Sequence, residues 1–130
     1  MNTARTCLLI AGSLDGLIGV ACILGGIALW RGGAKDWPDV TAGPAAIERV
    51  AFGLWFAGGL LLASSAALFL RWPWAAHTAA VALALFVAGG FWGNYAVFGD
   101  IRPMHTGTNV VIAAIVLGLL WAGYPALGNR

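Results

Sequence analysis

The sequence predicts an all-α integral membrane protein: an antiparallel four-transmembrane-helix bundle in a single domain, residues 1–130. Composition is the first reason. Of 130 residues, 61% are hydrophobic and 9% charged, whereas about a quarter of a soluble domain is charged. Mean hydropathy, at +0.87, is the second. The third is segmentation: the apolar residues form four stretches, each close to the ~20 residues that cross a hydrocarbon core of about 30 Å. Helices are the expected form because inside lipid every backbone polar group needs a partner, and a helix supplies it internally.

The first span is expected at approximately 7–30. Its start, "MNTARTCLLIAGSLDG", partly imitates a secretory signal. However, an apolar segment of roughly 24 residues is longer than a signal core and should remain as a transmembrane helix. The connection "RGGAKDWPDVTAGPAA" breaks the apolar pattern with charges, Gly32, Gly33, Pro38 and Pro44, so it reads as an exposed loop. The second span follows at 47–70. "RWPW" is so short that the third span, 74–98, must be its antiparallel neighbour. The polar "GDIRPMHT" then returns the chain for the fourth, 107–127.

This topology places both termini and "RWPW" on one face (the terminal face), with the first loop and "GDIRPMHT" on the other (the loop face). Basic residues do not orient it: Arg5, Arg71 and Arg130 stand against Arg31, Lys35, Arg49 and Arg102. Trp30, Trp37, Trp72, Trp74 and Tyr124 fall near span ends, where interfacial anchors belong. The expected location is a bacterial inner (cytoplasmic) membrane, crossed several times. Glycines within the spans, including the Gly12 to Gly16 spacing, allow close helix approach, either within the chain or to another subunit.

Asp15 is the exception in an otherwise apolar first span. At a rise of about 1.5 Å per residue it lies roughly 13 Å from the terminal-face end, too deep for a short side chain to reach water. A lipid-facing carboxylate there would cost about 2.5–3.5 kcal/mol, and interhelical hydrogen bonds return about 0.6–2 kcal/mol, so an interior position is expected. Ser64, Ser65, His77, Thr78 and Tyr124 fall in the same half of the bilayer. Of these, Ser64, Ser65 and His77 are the candidate partners, and with Asp15 they form a candidate ligand- or proton-binding set. The bland alternative is a structural hydrogen bond between helices.

A second polar constellation lies in "FWGNYAVFGDIRPMHTGTN". Asn94, Asp100, Arg102, His105 and Asn109 are candidates for a polar mouth at the loop face. The competing reading is a solvated connection in which Thr106 or Thr108 caps the last helix. No catalytic set emerges, since no nucleophile has an adjacent base. No metal site emerges either: Asp100 and His105 lack a recognisable third ligand. Haem held by both histidines is excluded because about 30 Å of bilayer separates His77 from His105, and no cofactor is implied. Cys7 and Cys22, 15 residues apart in one span, read as small buried hydrophobes. The net charge of +2 is scattered, so nucleic acid is not an expected partner.

Four short spans, a long polar first loop and the passage "IERVAFGLWFAGGLLLASSAALFLRWPW" resemble the DoxX-like small four-helix membrane proteins. The likeness is one of pattern over most of the chain, without a motif that transfers a functional residue. Because no nucleophile with an adjacent base, no metal set and no phosphate-cradling loop is found, the leading expectation is a non-catalytic accessory or subunit protein that packs against another membrane protein or holds a lipid-like ligand. Membrane lipids, and another membrane protein or a homo-oligomer, are the expected partners. An alternative is a proton-linked transporter similar to the small multidrug transporters, with Asp15 in place of their first-span glutamate, although their substrate motif is not recognisable here. Fluoride channels match in size but not in filter segment. A lipid-modifying enzyme using Asp100, Arg102 and His105 is a further alternative.

The topology is testable by labelling single cysteines in a cysteine-free background. Asn2→Cys and Asn129→Cys should be reached from one side and Lys35→Cys from the other. Opposite sidedness of the first two would refute the four-span arrangement.

Overall fold

Each of the four apolar stretches forms a helix in the computed structural model, which describes residues 3–32, 43–99 and 103–127, without the side chains of 32, 44 and 103–105. The helices are α1 (Thr3–Gly32), α2 (Pro44–Phe69), α3 (Ala75–Phe98) and α4 (Pro103–Gly123), and a 3-10 turn, Tyr124–Ala126, follows α4. All four are long and apolar enough to cross a membrane, and no strand occurs among the described residues.

Helix ends follow local chemistry. α2 opens at Pro44 after Gly43, three residues before the expected start, because proline in the first turn forfeits no hydrogen bond. For the same reason α4 opens at Pro103 and not at 107. This corrects two readings: His105 belongs to the first turn of α4 and not to the connection, and Thr106 is a buried helical residue and not a cap. α4 also stops short of the expected end, since Pro125 interrupts the α-helical ladder and the chain tightens into the 3-10 turn.

The α2–α3 turn is a Schellman motif. The amide of Arg71 donates to the Leu68 carbonyl at 3.1 Å, and that of Trp72 to the Ala67 carbonyl at 3.1 Å. This geometry puts Arg71 in the left-handed region, with φ 55°. After α3 the equivalent left-handed position is filled by Gly99, at φ 79°, the residue with no Cβ penalty there.

Packing is uneven around the bundle. α1 makes its most extensive contact with α2, while α3 and α4 make the least extensive contact of the four neighbouring helix pairs. The α1–α2 seam runs through glycine: a Cβ on Gly19 would lie 2.9 Å from the Gly58 carbonyl oxygen, and one on Gly58 would lie 2.7 Å from that of Gly19. Gly12 and Gly16 face Phe69 and Ser65 of α2, so the Gly12–Gly16 spacing serves packing within the chain. At Gly26 a Cβ would run into the Trp55 indole, whose Nε1 donates to the Ile23 carbonyl at 3.2 Å. The core is built from small or branched residues, among them Ala11, Leu61, Leu83 and Val116, all buried. Cys22 joins that core, whereas Cys7 is half-buried; both are free. The outer surface carries large apolar side chains such as Leu17, Phe56 and Trp121.

Substitution at the seam should therefore be far more damaging than substitution of glycines with open space. Gly19→Ala or Gly58→Ala is expected to lose about 1–3 kcal/mol of stability through overpacking. Gly89→Ala, where nothing lies within 4 Å, should lose none. Unfolding in detergent would measure both, and equal effects would refute the seam.

Candidate functional site

The glycines that bring α1 onto α2 also bring its carboxylate to two serines. Gly12, Asp15, Gly16 and Gly19 recur at helical three- and four-residue spacing and so share one face. Ser64 and Ser65, adjacent on α2, divide the polar contacts of that face. Ser65 Oγ donates to the Gly12 carbonyl at 2.6 Å, a contact that needs glycine at 16, where a Cβ would lie 3.1 Å from the same oxygen. Ser64 Oγ donates to Asp15 Oδ2 at 2.6 Å. Its single hydrogen has a second acceptor in reach, the Leu61 carbonyl at 3.0 Å. Asp15 is fully buried, and its Oδ1 is buried with no hydrogen-bond partner among the described residues.

His77 does not belong to this set. It is exposed and stands edge-on to Tyr124, with ring centroids 6.1 Å apart. The two rings mark one end of a groove between α3 and α4 of about 640 Å³. Ala76, Ala80, Leu117 and Trp121 supply apolar walls. The groove lies at the least extensive contact between neighbouring helices, where Ala76 and Ala80 recede beside the bulk of Trp121. A second groove, about 370 Å³, is lined by residues including Val50, Gly53, Phe56, Gly89 and Asn109.

The loop-face candidates are only partly brought together. Asn94 Nδ2 donates to the Gly90 carbonyl at 2.8 Å, and Asn109 Nδ2 lies so close to Gly90 that a Cβ there would come within 2.7 Å of it. Asn94 and Asn109 thus meet the same turn of α3 from two helices. Asp100 and Arg102 lie outside the described residues, as does the side chain of His105. Among the described residues, no three of His, Cys, Asp and Glu converge as a metal site would require.

No family model, curated protein or solved structure matches this chain. The functional reading therefore rests on geometry.

Sequence reasoning missed the α3–α4 groove. Its signal was present in depth only: His77 and Tyr124 fall at similar distances from the terminal face, but nothing in one sequence says that their helices are neighbours at that azimuth. The sequence also did not distinguish Ser64, which meets Asp15, from Ser65, which meets the backbone.

Ser64 is the carboxyl's only hydrogen-bond partner among the described residues. Ser64→Ala should lower stability by about 1–2 kcal/mol. Asp15→Asn, with an amide of the same size, should retain assembly, whereas Asp15→Leu should weaken the α1–α2 contact. In a double-mutant cycle the losses from Ser64→Ala and Asp15→Leu should be less than additive. Strict additivity in detergent unfolding would show that the pair is not coupled.

Proposed function

We propose that this chain is a multi-pass membrane protein whose four helices cross the bilayer in antiparallel order, acting without catalysis as an accessory protein that holds a lipid-like ligand between α3 and α4. The observation that carries this reading is the groove itself. Its volume of about 640 Å³ falls within the roughly 300–1,000 Å³ of small-molecule sites, which are mostly apolar with a few placed polar groups. Here the polar groups are His77 and Tyr124, both at one end. That is the distribution expected for an amphipathic occupant with its chain in hydrocarbon and its head at the boundary.

Insertion is supported by the outer surface. Trp121 is 85% exposed, Leu17 67% and Phe56 65%, and exposure of so many large apolar side chains is unfavourable in water. Antiparallel order is supported by the contacts along the first two helices, where Gly12 meets Phe69, Gly19 meets Gly58 and Gly26 meets Trp55. The rival transport reading needs access to Asp15, yet neither groove is lined by Asp15 or Ser64.

Native mass spectrometry after gentle detergent extraction tests the proposal. The wild-type chain should retain lipid, and Ala80→Trp, which fills the groove from α3, should release most of it while circular dichroism stays unchanged. Undiminished retention by a folded Ala80→Trp variant would overturn the assignment.

A further inference from the structure

We propose that the α3–α4 groove selects an anionic phospholipid, its apolar walls taking an acyl chain while His77, Tyr124 and the guanidinium of Arg71 form the rim that receives the phosphate. The inference rests on the groove being a lipid site and goes further by naming the head group.

Charge distribution is the first argument. At the end of the bundle that holds His77 and Tyr124 stand Arg5, in the first turn of α1, and Arg71, in the α2–α3 turn. Neither the stretch before Cys7 nor the turn from Arg71 to Trp74 contains an Asp or Glu. At the other end of the bundle the described residues carry both signs, as with Glu48 beside Arg49. The groove therefore opens onto the end of the protein where the described residues include arginines and no surface carboxylate, and that sign complements a phosphate.

Arg71 supplies the second argument. Its guanidinium has no hydrogen-bond or ion-pair partner among the described residues, although five donors in a planar fork suit it to phosphate oxygens. Its backbone is left-handed, at φ 55°, a conformation unfavourable to any residue with a Cβ. The chain fills the matching position after α3 with Gly99. An arginine held where glycine fits more easily is a strained position, and such positions are drawn to functional surfaces.

The third argument is placement. The Ala75 amide donates to the Trp72 carbonyl at 3.0 Å and the Thr78 amide to the Trp74 carbonyl at 3.2 Å, so the turn carrying Arg71 folds directly onto the first turn of α3, where His77 sits. Trp72 and Trp74, with ring centroids 5.0 Å apart, bracket that turn with side chains suited to the head-group level. A long arginine side chain can lay its stem along such surface and keep its charge among the head groups. The Tyr124 hydroxyl and a His77 ring N–H can donate to phosphate oxygens from the groove side.

The experiment compares phosphatidylglycerol and phosphatidylcholine of identical acyl chains, offered together to the full chain in detergent, with retention read by native mass spectrometry. The wild-type chain should favour phosphatidylglycerol. Arg71→Gln should reduce that preference by about five-fold, the effect of one cation near a lipid surface, and inorganic phosphate should not compete. Arg71→Gly should lose the same preference while folding at least as well, because glycine fits the left-handed turn. Arg49→Gln, at the opposite end, should leave the preference intact. Equal retention of both lipids by the wild type, or a preference that survives in Arg71→Gly, overturns the head-group assignment and leaves the groove standing. Retention of both lipids by Ala80→Trp overturns the groove reading itself.

Discussion

The rest of the structure depends on the close approach of α1 to α2 where Gly19 meets Gly58. Between helices in an apolar phase, association comes from packing and from hydrogen bonds, because lipid tails exert no hydrophobic drive. Glycine on both sides of the crossing lets backbone meet backbone, and a Cβ on either would fall within 3 Å of the opposing carbonyl oxygen. Once that spacing is set, short side chains can bridge the helices. Ser65 reaches the Gly12 carbonyl and Ser64 reaches Asp15, both at 2.6 Å.

The carboxylate makes this seam directional as well as close. Apolar helices can slide against one another with little change in energy, but a fully buried Asp15 has one hydrogen-bond partner among the described residues, Ser64, and displacement by a single turn would take the carboxyl away from it. Oδ1 has no hydrogen-bond partner among the described residues. Asp15 thus does two things at once: it registers α1 against α2, and it keeps an acceptor inside the bundle that the described residues do not satisfy.

Tight packing on one side leaves slack on the other. With α1 committed to α2, the α3–α4 pair makes the least extensive contact between neighbouring helices, and a groove of about 640 Å³ opens there. Alanines at 76 and 80 on α3 face the bulk of Trp121 and Tyr124, so neither helix fills the space. The α2–α3 turn lies at the same end of α3, with the charge of Arg71 set by a Schellman motif. The backbone device that ends one helix therefore also places a cation at the end of the bundle that holds His77.

The sequence by itself determined the number of helices and their approximate extents, because apolar length and the internal hydrogen bonding of a helix are local properties. It also narrowed the partners of Asp15 to Ser64, Ser65 and His77, since depth along a helix follows from a fixed rise per residue. It mistook the start of α4, where Pro103 opens the helix earlier than the hydropathy pattern implies. It placed His105 in the connection for the same reason, while Asp100 and Arg102 lie outside the described residues. What only the tertiary structure decided was azimuth: which face of each helix meets which neighbour. Azimuth chose Ser64 over His77 for Asp15, turned the Gly12–Gly16 spacing inward, and paired His77 with Tyr124 across a groove. Rise per residue is fixed by the backbone, but the rotation of one helix against another is set by side-chain packing between segments far apart in sequence, and a single sequence does not record it.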